Sequence, residues 1–201
     1  VMFKSEYMKG EGSSLFYYPF SLNGARQAGV QLVNFAAEKA MNSGNFQVNV
    51  SDDGTKIAVI CELPYLKDSL EHAIVYVYDN MFKELWHTDL RFPTSSEKAP
   101  HNDVFVSNSG VVYIMKRIPV KKSFDYYSMF TFTNNGKTLK ESKIDLGQDG
   151  HISTYLSGFC TNGDLFLAGY SYTDKKSGVN VDWPTHVFTV KVSVADGSLP
   201  V

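Results

Sequence analysis

Short turn dipeptides recur along this chain at a spacing of about 55 residues, and that recurrence limits the possible folds more than any other feature. Asp53-Gly54, Ser109-Gly110 and Asn162-Gly163 form one series, whose glycines stand 56 residues apart (54 to 110) and then 53 apart (110 to 163). Asn23-Gly24, Asp79-Asn80, Asn135-Gly136 and Asp196-Gly197 form a second, interleaved series. Such pairs favour the positive φ angles that tight hairpin turns require. Between them lie short segments of β-branched and aromatic residues, drawing on 12 Tyr and 14 Phe, which is the composition of strands.

Set in register, each unit supplies four strands. First strands are expected at 46–51, 103–107 and 154–160, and second strands at 56–63, 111–118 and 165–172. Third strands are expected at 73–79, 126–132 and 186–193. Fourth strands at 81–92 and 137–146 are more polar and alternate, as outer edges do. Residues 15–35 then supply the third and fourth strands of a preceding unit. A helix within 25–41 is the competing expectation there, because that stretch mixes Ala, Gln, Glu and Lys. A four-stranded unit repeating at roughly 40 to 55 residues marks propeller blades. The expected fold is therefore all-β, with β-propeller-type blades of four antiparallel strands, about three and a half in number. One domain covers 1–201: a partial blade at 1–45, blades at 46–102 and 103–153, and an incomplete blade at 154–201. Such a count fits either a minimal propeller closed by pairing its two ends or a segment of a larger one; Val1 at the start and the turn residues at the end suggest excision from a longer chain and favour the segment.

Composition narrows the function classes. The chain is 43% hydrophobic and 20% charged, so it is globular. With 19 Lys plus Arg against 21 Asp plus Glu, the net charge is −2. That balance argues against a nucleic-acid or anionic-membrane binder, which needs a basic surface. No apolar run approaches the ~20 residues of a membrane helix, and no signal peptide follows Val1-Met2-Phe3-Lys4. Cys61 and Cys160 each adjoin an apolar run and are expected in the core; with no Cys-x-x-Cys pair they suggest neither zinc nor a disulfide framework.

Several stretches resemble uncharacterised β-propeller-like (WD-like) proteins of Bacteroidetes. They are Ser51-Asp52-Asp53-Gly54-Thr55-Lys56 with Glu62-Leu63-Pro64, Val77-Tyr78-Asp79-Asn80-Met81-Phe82-Lys83-Glu84-Leu85-Trp86, and Val106-Ser107-Asn108-Ser109-Gly110-Val111-Val112-Tyr113. Thr133-Asn134-Asn135-Gly136-Lys137 and Asn162-Gly163-Asp164-Leu165-Phe166-Leu167-Ala168-Gly169-Tyr170 continue the likeness, which spans residues 45–201. The resemblance implies a propeller, normally within a longer, exported chain of the periplasm or cell surface. It implies no activity and transfers no functional residues.

Catalytic motifs are missing from the sequence: no Gly-x-Ser-x-Gly, no His-Glu-x-x-His, no phosphate-cradling glycine loop. Asp145-x-Gly147-x-Asp149-Gly150 echoes a calcium loop, but Gly147 and Leu156 replace required ligands, so a turn is expected and no metal or cofactor is implied. Functional residues gather on loops held by a rigid scaffold. In a propeller, the between-blade loops (36–45, 93–102 and 147–153) share a face with the loops joining second to third strands. Ligand-binding candidates on that face are His101, Asp103, Arg117, Asp149, His151 and Trp183. Imidazoles and carboxylates near one axis could bind a metal, act as acid and base, or hydrogen-bond a sugar; equally, they are ordinary solvated loop residues. Trp183, set extended by Pro184, could stack on a sugar ring. Trp86 and the stripe Tyr126, Tyr127, Phe130 and Phe132 are expected as packing.

Three readings follow. The first is a non-enzymatic binding module that presents one loop face to a protein or carbohydrate. The second is a scaffold segment of a larger propeller. The third, resting on fold analogy alone, is a glycan-active hydrolase or lyase using His101, His151, Asp149 and Arg117. The ligand, compartment, blade number and oligomeric state are not encoded in any motif.

Overall fold

The computed structural model describes residues 1–95, 102–118, 126–146, 150–173 and 186–199. Among these, the backbone forms fourteen strands and no helix, in four antiparallel sheets. The first sheet holds β1 (Met2–Met8), β2 (Gly12–Tyr18) and β3 (Val30–Phe35) in that order. The second holds β4 (Asn45–Val50), β5 (Lys56–Glu62), β6 (Leu70–Asp79) and β7 (Glu84–Ser95). The third holds β8 (Asn102–Val106), β9 (Val112–Ile118), β10 (Tyr126–Thr133) and β11 (Thr138–Ile144). The last holds β12 (Gly150–Phe159), β13 (Leu165–Thr173) and β14 (His186–Val192). In every sheet, strands adjacent in sequence are adjacent in space. The chain is thus all-β and built of propeller-type blades.

Local turn chemistry sets the blade register. Gly54, Gly110 and Gly163 adopt φ of 70°, 84° and 87°. Each donates its N–H to the carbonyl three residues earlier, Ser51 at 2.8 Å, Ser107 at 2.9 Å and Cys160 at 2.8 Å. The three turns are equivalent, and each joins a first strand to a second. Cys160 opens the third of these turns and is exposed there, which corrects its expected place in the core; the apolar run beside it belongs to β13. Cys61 is wholly buried in β5, and burial pushes its thiol up to about 12.

Other boundaries shift for identifiable reasons. Residues 15–35, expected as two strands of a preceding unit, hold β2 (from Gly12) and β3, and the competing helix within 25–41 does not form, because pairing with β2 (Ser13 opposite Phe35, Leu15 opposite Val33) outweighs composition. Polar β1, with Lys4, Ser5 and Glu6, was not expected; it pairs along its whole length with β2. β7 runs on through Pro93, and β12 starts at Gly150, so two expected between-blade loops are partly strand.

The chain divides into two compact units: Val1–Val48, Val59–Tyr76 and Asp89–Ala99 in the first, and Asn49–Ala58, Val77–Thr88 and Pro100–Val201 in the second. The first unit buries Leu15, Val33, Phe35, Ile60 and Val75, with the Phe35 and Phe46 rings 4.9 Å apart. In the second, Tyr113, Met115, Tyr127 and Met129 of the third sheet pack on Leu165, Leu167 and Val192 of the last.

One buried carboxylate ties the last sheet together. Asp164 receives a 2.8 Å ion pair from Lys191, the Val194 N–H at 2.9 Å and the Asn162 amide at 2.7 Å. The Lys191 bond first, then the two other donors, lowers its pKa to about 2. The folded value lies below that of an unfolded aspartate, about 3.9. The stabilisation is therefore complete above pH ~4 and is lost as pH falls from ~4 towards ~2. Urea midpoints measured along that range should fall in the parent, and Asp164→Asn should be less stable at pH 7 with a flatter acid limb. Equal acid slopes in the two proteins would show that Asp164 does not carry the effect.

Candidate functional site

Strand alternation places four chemically distinct side chains on one face of the third sheet. Asp103 of β8 lies opposite Met115 of β9, and Arg117 of β9 lies opposite Tyr127 of β10. Residues opposite one another share a face. From the last sheet, β12 contributes Ile152, Ser153, Thr154 and Tyr155. A bulge falls between Ile152, opposite Ser171, and Thr154, opposite Tyr170, leaving Ser153 unpaired. Because of that extra residue, Ile152 and Tyr155 point to the same side although they are three apart; a regular strand would have separated them.

These residues line a cavity of about 370 Å³ within the second unit. Met115 and Tyr127 are buried at its base, while Asp103 and Arg117 are exposed at its rim. Tyr155 hydrogen-bonds to Asp103, and its hydroxyl is pushed well above the ordinary phenol value, by burial first and then by the bond to Asp103, that carboxylate's charge and Tyr127. At neutral pH the proton stays on the phenol, which donates to the carboxylate. The cavity thus offers a carboxylate held by one phenol, a guanidinium, a second phenol and an apolar floor. Such a set binds a polar ligand with both donors and acceptors. It provides no deprotonated tyrosine to act as a base.

Of the six residues put forward from the sequence, the structure brings Asp103 and Arg117 to this one cavity. His101, Asp149 and Trp183 lie outside the described residues, as do positions 147–149 of the calcium-like stretch. His151 is placed in β12 opposite Tyr172, and its side chain is outside the description. Among the described residues, no group of three or more His, Cys, Asp and Glu is arranged to hold a metal. Sequence reasoning assigned Tyr127 to the core and passed over Tyr155. Only the bulge at Ser153, which has no residue signature, turns Tyr155 towards Asp103.

The first unit has a separate cavity of about 310 Å³ on the loop of residues 36–42 and on Pro64, Tyr65 and Leu66. Asn42 clasps the Tyr65 backbone there, donating to its carbonyl at 2.9 Å and accepting its N–H at 2.7 Å. Nearby His72 holds Asp89 at 2.7 Å.

No protein-family model matches this chain, and no curated protein matches it. Among solved structures it is similar to Synechocystis apocarotenoid oxygenase. Against a glutamate-to-aspartate variant of that oxygenase the TM-score is 0.51 at 12% identity; against a threonine-to-alanine variant it is 0.51 at 11%, and against the cobalt-substituted form 0.50 at 10%. Each match covers 98% of this chain and 45% of the oxygenase chain. The chain therefore spans less than half the length of the solved chains it matches. At these identities the likeness is one of fold alone.

Proposed function

We propose that the chain is a non-enzymatic binding module whose ligand, a hydroxyl-rich molecule of the carbohydrate class, sits in the cavity at Asp103, Arg117, Tyr127 and Tyr155. The observation that supports this reading is a carboxylate and a guanidinium at the rim of one apolar-floored cavity, with a phenol held to the carboxylate. Sugar hydroxyls both donate and accept, so they pair with such a mixed set without leaving a charge unpaired. The oxygenase likeness lends the fold and no reaction.

Isothermal titration against neutral sugars and uronic acids is the test. Saturable binding is expected, weakened about tenfold or more in Arg117→Ala and Asp103→Asn, since a hydrogen bond to a charged group contributes about 1.5–3 kcal/mol. Binding that both variants retain at parental affinity, or no binding to any sugar, overturns the assignment.

A further inference from the structure

The first unit carries a second cavity, beside the one at Asn42, of about 220 Å³. Leu63, Pro64, Leu66 and Leu70 give it apolar walls, and every residue of its lining is among those described. Leu66 is 67% exposed and Leu70 50%, so two leucines meet water along one concave surface. The walls are fixed before any ligand arrives. Ser69 closes a turn on Leu66, donating its N–H at 3.1 Å and its hydroxyl at 2.6 Å to the Leu66 carbonyl. The Leu63 N–H donates to the His72 carbonyl at 3.0 Å, and Asn42 clasps the intervening Tyr65. A cavity built in advance spares the cost of ordering it on binding.

Its polar groups are not equivalent. Ser69 commits its hydroxyl proton to Leu66, and His72 Nε2 lies 2.7 Å from the Asp89 carboxylate. The acid two places from Arg91 in β7 is thereby engaged by the imidazole. Arg91 itself is exposed, lines the cavity and, among the described residues, has no ion-pair partner.

We propose that this cavity binds an aliphatic carboxylate, its chain against Pro64, Leu66 and Leu70 and its carboxylate on the Arg91 guanidinium. Charge selects the head group: an anion gives Arg91 a partner, whereas a cation would meet it as a like charge. The planar guanidinium fork matches a carboxylate through two parallel hydrogen bonds. The leucines select the tail, because covering exposed apolar surface is favourable in proportion to its area. A space of about 220 Å³ holds about seven groups the size of a water or a methylene, a chain of medium length. Ala36, Pro64 and Leu66 line the neighbouring 310 Å³ cavity as well, so a longer chain continues over them. The site shares no residue with the Asp103 cavity and lies in the other unit, so it does not rest on the carbohydrate reading.

Isothermal titration with butanoate, hexanoate and octanoate is the experiment, with 1-hexanol as the uncharged match of hexanoate. Octanoate should saturate, with affinity rising about fourfold per methylene buried, and 1-hexanol should bind at least tenfold more weakly than hexanoate. Arg91→Gln should abolish the preference for hexanoate over 1-hexanol. Leu66→Ser should weaken all four compounds. Both positions are exposed, so an unchanged thermal midpoint is expected of each variant and separates lost binding from lost folding. No saturation by octanoate at about 10 mM overturns the proposal. So do octanoate binding no tighter than butanoate, and hexanoate binding that Arg91→Gln leaves at the parental affinity.

Discussion

Gly169→Val should destabilise the protein by about 3 kcal/mol or more and abolish ligand binding at the Asp103 cavity, one of two large effects expected in the second unit. Gly169 lies opposite Tyr155 in the pairing of β12 and β13. A Cβ added there would stand 2.7 Å from both the Cα and the Cβ of Tyr155 and would press on the Thr154 carbonyl oxygen. Those neighbours are backbone or begin at backbone, so no side-chain rotation relieves them. The strand must move, and the segment that moves carries the bulge that aims Tyr155 at Asp103. Gly158→Val is the matched control, because a Cβ at Gly158 meets nothing within 4 Å. On an open strand face, valine should cost little or add slightly to stability. Urea denaturation read by circular dichroism measures both variants. If Gly169→Val and Gly158→Val have the same midpoint, close approach of the strands is not why glycine stands at 169.

What the sequence made legible follows the range over which each interaction acts. The turns at Gly54, Gly110 and Gly163 could be placed because positive φ and an i to i−3 bond are decided within four residues. Strands β5, β9 and β13 could be placed because each carries a run of four or more apolar residues, Ile57–Cys61, Val111–Met115 and Leu165–Ala168. β1 could not, since a strand interrupted by Lys4, Ser5 and Glu6 carries no apolar run and exists through its partner β2. The same non-local pairing turned residues 30–35 from helix-friendly composition into β3. At the site, Asp103 and Arg117 could be named because charged residues at strand ends near one rim follow from blade register. Tyr155 could not, since a one-residue bulge decides which side it faces and leaves no mark in composition.

Trp86 gives the second large effect. In β7 the buried residues Trp86, Leu90 and Phe92 alternate with exposed Leu85, His87, Asp89 and Arg91, the period of a strand with one covered face. Trp86 is 8% exposed, its ring 6.3 Å from that of Phe132. Beneath it lies the turn of Asn134, Asn135 and Gly136, at φ of 52°, 54° and 76°. A Cβ on Gly136 would stand 2.5 Å from Cε3 of the indole, so the tryptophan rests on bare backbone. The ring therefore joins the outer strand of the second sheet to the outer hairpin of the third, where no backbone hydrogen bonds of the ladder connect them. Trp86→Ala removes that packing and leaves a cavity the rigid turn cannot fill, at an expected cost of about 3–5 kcal/mol. Trp86→Phe keeps a ring over Gly136 and should cost less than half as much. The order of the two variants in urea midpoint decides the matter: equal losses would mean that the indole's contact with the turn adds nothing beyond its burial.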